Sequence, residues 1–175
     1  SSISVTKSFE SNRDLVTSVE NKYGATTISK YDYSNDDLGR RTAMGKSGTA
    51  FTQTDTIAYG YDDKSQITSA VAQNQQTYNY GFNFDPIGNR ITSTTTESGS
   101  PVSSSYTSNP LNQYTTISSS LPSVKNPSYD DDGNMTNDGT WSLVWNGENR
   151  IITATKDTTV IEYRYDYMGR RVERK

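Results

Sequence analysis

The sequence of 175 residues contains no cysteine and no histidine. Their absence excludes disulfide staples, Ser-His-Asp and Cys-His catalysis, and zinc sites with His or Cys ligands. No apolar run is long enough to span a bilayer, so we expect no membrane insertion. The net charge is only −3 and both signs are scattered, which argues against a nucleic-acid partner. We therefore expect no enzyme, no catalytic residue, no cofactor and no metal site.

Two segments come close to known ligand-binding motifs without matching them. Residues 39–47 have five residues between their glycines, whereas a phosphate-binding loop needs four. Asp130-Asp131-Asp132 resembles the start of a calcium loop but lacks its closing glutamate. Turns are the favoured interpretation of both, with a weak ion site at the three aspartates as the minor alternative.

Apolar residues make up only 30% of the chain, but thirteen of them are tyrosines. A tyrosine buries a large ring and keeps a polar group. The chain can therefore bury more side-chain area than its mean hydropathy of −0.85 implies. Apolar spacing typical of a helix occurs only near residues 12–23, where a strand fits as well. Residues 92–105 are polar enough for a loop.

A short motif recurs along the whole chain. It reads aromatic, any, aromatic, Asp, any, any, Gly, Arg or Asn, then apolar, and its clearest copy is residues 163–172. Further copies lie at 59–67, 82–91 and 129–135, looser ones at 33–41, 106–114 and 143–151, and a degenerate one around Phe9 and Glu10. The polar anchors stand at positions 10, 36, 62, 85, 109, 130, 146 and 166. The sequence therefore predicts a single run of about eight repeats over residues 1–175, cut at both ends.

Each copy has the composition of a β-hairpin. Aromatic residues two apart share a strand face, and Asp or Asn opens a turn by accepting backbone hydrogen bonds. Three residues later most copies have Gly or Asn, which tolerate positive φ; Ser65 and Asn112 replace the glycine in two copies and leave their turn type open. We predict these structural anchors: Asp36, Gly39, Asp62, Asp85, Gly88, Asn109, Asp130, Gly133, Asn146, Asp166 and Gly169. A lone hairpin is marginal in water, so the expected fold is all-β, with tandem antiparallel hairpins in one curved, open sheet.

The block from Asp130 to Ile151 resembles the signature of RHS/YD-repeat proteins, which runs roughly YDxxGNMTxDG, a strand, then YDAENRL. Trp145-Asn146 replaces the usual Tyr-Asp. The family includes bacterial polymorphic toxins, cocoon subunits of insecticidal toxin complexes and the barrel of teneurin receptors, and its repeats form a hollow β-shell. The resemblance implies a secreted or cell-surface scaffold, whose partners are the rest of the shell and a C-terminal toxin or effector domain that it encapsulates or presents.

Two further properties remain open in the sequence. Aromatic stripes on a β-surface can stack sugars, so a carbohydrate-binding or adhesive surface is the alternative function, although ladders across strands are favoured. The first strand, around residues 3–9, alternates apolar residues and has a single lysine. We expect such a weakly guarded edge to self-associate by adding strands.

Overall fold

A computed structural model describes residues 2–74, 78–97, 100–120 and 124–175, and the regular structure in these ranges is β-strand throughout. Since these ranges contain no helix, they offer none that could cross a membrane. The chain divides into two compact units, with the boundary between residues 103 and 104. The all-β, antiparallel and open architecture predicted from the sequence is confirmed.

The first unit is an up-and-down succession of strands in which each pairs antiparallel with the next. The strands are β1 (Ile3–Phe9), β2 (Val16–Tyr23), β3 (Thr26–Asn35), β4 (Arg41–Ser47), β5 (Asp55–Tyr61), β6 (Ile67–Ala72), β7 (Tyr78–Phe84) and β8 (Arg90–Glu97). Residues 16–23 thus form a strand, as the phase of the repeat favoured. Residues 90–97 also form a strand, so the loop expected from residue 92 onward is wrong. Its threonines are β-branched and fit a pleated surface, which outweighs their polarity.

The second unit is described with β9 (Val102–Ser108), whose first two residues precede the boundary. The strands that follow are β10 (Tyr114–Ser119), β11 (Ser128–Tyr129), β12 (Met135–Asn137), β13 (Ser142–Trp145), β14 (Ile151–Lys156), β15 (Thr159–Tyr165) and β16 (Arg171–Arg174). β9 pairs with β10, and β11 to β16 form a six-stranded antiparallel sheet in chain order.

The expectation of one continuous sheet is wrong within this second unit. β10 and β11 belong to different sheets, and β10 meets the segment before β11 through an isolated bridge between Ile117 and Lys125. Pro127 directly precedes β11 and has no amide hydrogen to donate. The hydrogen-bond ladder therefore cannot continue through that residue.

Few side chains are fully covered by the fold. Among the described residues the buried apolar side chains are Ala72 in the first unit and Ala154 in the second, while Asp55 and Ser93 are buried polar residues. Most other strand residues are half-buried. Each unit must therefore depend on its backbone ladder and on contacts between neighbouring hairpins more than on a thick apolar core.

Candidate functional site: turns and junctions of the hairpin repeat

Seven turns along the chain share one backbone geometry. In each, the amide of the anchor donates to the carbonyl four residues later at 2.8–3.0 Å, and the residue three positions later donates back to the anchor carbonyl at 2.9–3.1 Å. The strand register shifts at each of these turns. This is a three-residue hairpin loop, in which a type I turn is followed by a left-handed residue that forms a bulge. The seven anchors are Asp36, Asp62, Asp85, Asn109, Asp130, Asn146 and Asp166.

The anchor side chain fixes the turn from inside. In all seven copies its Oδ1 accepts hydrogen bonds from the backbone amides two and four residues later, at 2.8–3.1 Å. A short side chain with an oxygen on Cγ is the type that can reach both amides. The requirement for Asp or Asn at this position follows from that geometry.

The residue three after the anchor is left-handed in every one of the seven turns. Gly39, Gly88, Gly133 and Gly169 have φ of +79°, +96°, +85° and +80°, so the positive φ predicted at Gly88 and Gly169 is confirmed. Ser65 and Asn112, which left the turn type open, have φ of +64° and +61° and keep the same turn, as does Asn149 at +57°. At these three positions the hydrogen bonds of the turn outweigh the cost of holding a residue with a side chain in the left-handed conformation.

The first copy is a longer variant of the same turn. The Glu10 amide donates to the Leu15 carbonyl at 2.9 Å, which closes a loop one residue larger. Arg13 bridges this loop to the next one, because its side chain bonds the Glu10 carboxylate at 2.6 Å and the Asp36 carbonyl at 2.7 Å. A glutamate anchor is thus supported by a neighbouring arginine.

The residue four after the anchor completes the turn through its side chain. In five copies it donates to the second carboxylate oxygen of the anchor, at 2.7–3.1 Å: Asp36–Arg40, Asp62–Gln66, Asp85–Asn89, Asp130–Asn134 and Asp166–Arg170. At Asn109 the direction is reversed, since the Asn109 amide donates to the Gln113 oxygen at 2.8 Å. In six of the seven turns, the side chains of the anchor and of the residue four later therefore pair one hydrogen-bond donor with one acceptor.

These hydrogen bonds lower the pKa of four anchor carboxyls. At Asp36, Asp62 and Asp85 partial desolvation is the largest influence and acts to raise the pKa, but the combined side-chain and backbone hydrogen bonds from nearby residues outweigh it. At Asp166 the backbone hydrogen bond from Arg170 is the largest influence and lowers the pKa directly. The folded turns at these four positions thus favour the ionised carboxylate.

A second recurring contact joins one hairpin to the next. The tyrosine hydroxyl or tryptophan indole N–H of the aromatic residue just before an anchor donates a hydrogen bond to the backbone carbonyl five residues after the preceding anchor. The bonds are Tyr61 Oη to Arg41 O at 2.8 Å, Tyr129 Oη to Tyr114 O at 3.2 Å, Trp145 Nε1 to Met135 O at 2.8 Å and Tyr165 Oη to Ile151 O at 2.9 Å. We call these the junction hydrogen bonds. At the junction between the Asp62 and Asp85 hairpins the residue is Phe84, which has no donor.

Neighbouring turns also stack directly on one another. The residue four after one anchor lies against the left-handed residue of the next turn: Arg40 donates to Ser65 Oγ at 3.1 Å, and Asn134 donates to Asn149 Oδ1 at 2.9 Å. A Cβ added at Gly169 would lie 2.8 Å from the Arg150 guanidinium. In these pairs of adjacent hairpins, the side chain four residues after one anchor thus packs against the left-handed residue of the next turn.

In four hairpins, another repeat aromatic packs within its own hairpin. The residue three before an anchor meets the residue five after it across the turn. The arginine guanidinium carbon lies 3.7 Å from the ring centroid for Arg41 over Tyr33, 5.1 Å for Arg90 over Phe82 and 5.3 Å for Arg171 over Tyr163. At the Asn109 turn the pair is Tyr106 and Tyr114, with centroids 5.3 Å apart. Such contacts support the interpretation that the aromatics pack against side chains of neighbouring strands. Sugar binding by these aromatics stays a prediction.

The predicted anchors are therefore brought together as successive turns within each unit, and the described residues contain no group of three or more Asp or Glu side chains placed to hold a metal ion. The sequence motif includes Arg or Asn four residues after the anchor, but sequence reasoning missed that this side chain bonds the anchor side chain. Arg, Gln or Asn, each with a side-chain N–H donor, occupies that position in all seven copies, and this shared property is the signal for the bond. The junction hydrogen bonds had no comparable signal in the sequence.

Comparison with known proteins extends the resemblance seen in the sequence. The family model described as Teneurin YD-shell matches residues 1–175. Two curated proteins, the tRNA3(Ser)-specific nuclease WapA of Bacillus spizizenii and the tRNA nuclease WapA of Bacillus subtilis strain 168, are each 32% identical over 96 residues. That alignment covers 53% of this chain and 4% of each relative, so the chain corresponds to a small part of their length.

Two solved structures share the fold. A crystal structure of TcdB2-TccC3-TEV superimposes with a TM-score of 0.66 and 15% identity, over 97% of this chain and 11% of that one. The Tc holotoxin pore of Photorhabdus luminescens gives a TM-score of 0.60 and 13% identity, over 91% of this chain and 12% of that one. Since the family model spans every residue, this chain belongs to the teneurin YD-shell family.

Proposed function

We propose that this chain is one stretch of the wall of a hollow β-shell that encloses or presents a toxin or effector domain. The observation that carries the proposal is the repetition of one turn and one junction along the chain, together with the family match over residues 1–175. A wall needs interchangeable units that pair on both sides, and stacked hairpins supply them. On this view residues 1–175 are a single run of about eight repeats.

The chemistry of the anchors favours a wall over an enzyme. Each side-chain oxygen of the seven anchors accepts hydrogen bonds from backbone amides or from the side chain four residues later, as described above. The anchor carboxylates therefore stabilise the turns. The WapA relatives are named as nucleases, but they align with this chain over only 4% of their length. We propose that this chain has no catalytic role and that any activity of its parent protein resides in another domain.

The proposed partners follow from the same wall. They are the neighbouring hairpins of the shell and a cargo domain, and the proposed location is outside the cell or at its surface, as the family resemblance implies. Glycans are the alternative partner carried from the sequence. A glycan array tests that alternative, because a wall without a sugar site gives no saturable binding.

Limited proteolysis of the full-length natural protein tests the encapsulation. If the repeats form a closed wall, the segment outside the repeats resists protease in the native protein. Weakening the wall by Gly169→Val exposes it, because a β-branched residue fits poorly at φ +80°. The matched control is Val172→Thr, an exposed and isosteric change in the neighbouring strand.

The expected result is slow digestion of the non-repeat segment in the native protein and in the control, with faster digestion in Gly169→Val. Equal digestion of that segment in all three proteins would contradict an enclosing wall. If Gly169→Val loses its β-sheet circular dichroism, Tyr165→Phe takes its place in the experiment. This variant removes a junction hydrogen bond and leaves the turn intact.

A further inference from the structure

One of the seven turns has mismatched side chains. Asn146 is the anchor and Arg150 stands four residues later, so the Asn146 amide NH2 and the Arg150 guanidinium are both donors. Arg150 bonds Glu148 instead, at 2.9 Å. The other arginine-containing turns pair Arg40 with Asp36 and Arg170 with Asp166 at 2.7 and 2.8 Å. The Asn146 turn thus lacks the acceptor that its arginine would use.

The residue after Asn146 is Gly147, and this is the single Asn-Gly pair in the sequence. Gly147 is exposed, and a Cβ placed on it would meet nothing within 4 Å. Within the described part of the chain its amide has no hydrogen-bond partner. A backbone amide without a flanking side chain is the nucleophile that attacks an asparagine side chain most readily.

The turn also polarises the group under attack. Asn146 Oδ1 accepts the backbone amides of Glu148 at 3.0 Å and Arg150 at 3.1 Å. When a nucleophile adds to Cγ, negative charge develops on that oxygen. Two fixed amide donors stabilise such charge in the manner of an oxyanion hole. The amide nitrogen of Asn146 is the leaving group.

The other asparagine anchor provides a comparison within the same chain. Asn109 is followed by Pro110, which has no amide hydrogen and cannot supply the nucleophile. Asn109 also needs its amide, because that amide donates to Gln113 Oε1 at 2.8 Å. One asparagine anchor is therefore matched and unreactive, and the other is mismatched and followed by glycine.

We propose that Asn146 is a self-modification site of this protein, where deamidation converts the anchor to aspartate and completes the turn. The Gly147 nitrogen bonds to Asn146 Cγ, the Cγ–Nδ2 bond breaks, and ammonia leaves with the Gly147 amide proton. Water then opens the cyclic imide. Attack at Cγ breaks the new Cγ–N bond and yields aspartate, whereas attack at the main-chain carbonyl yields isoaspartate.

Aspartate at position 146 gives Arg150 the acceptor that the Asp36 and Asp166 turns already have. The product would carry one more negative charge and would hold the arginine against the turn. An exposed ion pair of this kind increases the folding equilibrium constant roughly 2- to 5-fold. Isoaspartate lengthens the main chain within the loop and cannot keep both backbone bonds of the turn.

Peptide mass spectrometry of the folded protein, incubated in oxygen-18 water at mildly alkaline pH, tests the proposal. The expected result is incorporation of the isotope at Asn146 and none at Asn109, with aspartate among the products. Gly147→Ala is the matched control, since the open space at this glycine accepts a methyl group, and it should slow the reaction strongly. Asn146 that stays an amide in the folded protein but reacts in urea would overturn the proposal, as would isoaspartate as the sole product.

The stability of designed variants tests the completed turn separately. Asn146→Asp should raise the denaturation midpoint, and the increase should vanish when Arg150 is replaced by methionine. An Asn146→Asp variant with an unchanged midpoint, or an equal increase without Arg150, would contradict the pairing.

Discussion

Removal of one hydroxyl tests whether the junction hydrogen bonds hold neighbouring hairpins together. Tyr165→Phe deletes the bond from Tyr165 Oη to the Ile151 carbonyl and leaves the ring in place. Tyr163→Phe is the matched control, because this tyrosine lies two residues earlier on the same strand and its ring packs under Arg171. We expect Tyr165→Phe to destabilise the protein and Tyr163→Phe to be close to neutral.

The expected magnitude follows from the exposure of the bond. A protein hydrogen bond contributes about 0.5–1.5 kcal/mol net, and Tyr165 is only half-buried, so water can reach the vacated carbonyl. The lower part of that range applies, about 0.5–1 kcal/mol. For a unit of this size the loss corresponds to roughly 2–8 °C in Tm. Urea denaturation followed by circular dichroism resolves such a difference.

The reverse change at the junction without a donor provides the stronger test. Phe84 stands just before Asp85, and the carbonyl at the matching position of the preceding hairpin belongs to Ile67. Phe84→Tyr should create the missing bond and stabilise the protein by about 0.5–1 kcal/mol, whereas Phe82→Tyr should not. Equal effects of Tyr165→Phe and Tyr163→Phe, or of the two phenylalanine changes, would refute the junction hydrogen bond as a repeat contact.

Three further predictions concern the turns, their carboxylates and the first strand. Gly169→Val should destabilise by more than about 1 kcal/mol, because valine is strained at positive φ, and Ser65→Gly should be neutral or stabilising; denaturation curves that show Gly169→Val as stable as the parent would contradict the turn geometry. The lowered pKa of Asp36, Asp62, Asp85 and Asp166 means that the folded protein binds fewer protons than the unfolded chain near pH 4. Their contribution to stability is therefore present above the ordinary carboxyl pKa of about 3.9 and is lost as pH falls through the folded pKa; a Tm that rises between pH 5 and pH 3 would contradict this sign. Finally, β1 pairs on one edge only and exposes 60% of Val5, so the isolated chain should self-associate at high concentration; a monomer in light scattering that is indifferent to Val5→Pro would exclude strand addition there.

The turns could be predicted from the sequence because their chemistry is local. The Asp or Asn anchor and the Gly three residues later are both required by one three-residue hairpin loop, so each copy carries its own signal. The hydrogen bonds of the turn fix its backbone strongly enough that Ser65 and Asn112 adopt the same left-handed conformation as the glycines. Repetition in register predicted the hairpin fold for the same reason.

The junctions and the limits of the sheets could not be predicted in this way. The Tyr61 hydroxyl donates to a carbonyl 20 residues earlier, and that acceptor is set by the pairing of β4 with β5. The break after β10 depends on the position of Pro127, and the strands within residues 90–108 depend on partners that outweigh a polar composition. These features result from tertiary pairing, which no single copy of the repeat encodes.

Electron cryo-microscopy of the full-length natural protein tests the central claim most directly. If this chain is part of a shell wall, its successive hairpins will be continuous with neighbouring strands on both sides and will border an internal cavity that holds a segment outside the repeats. A map in which these hairpins form a solid or isolated domain, with no cavity beside them, would contradict the account.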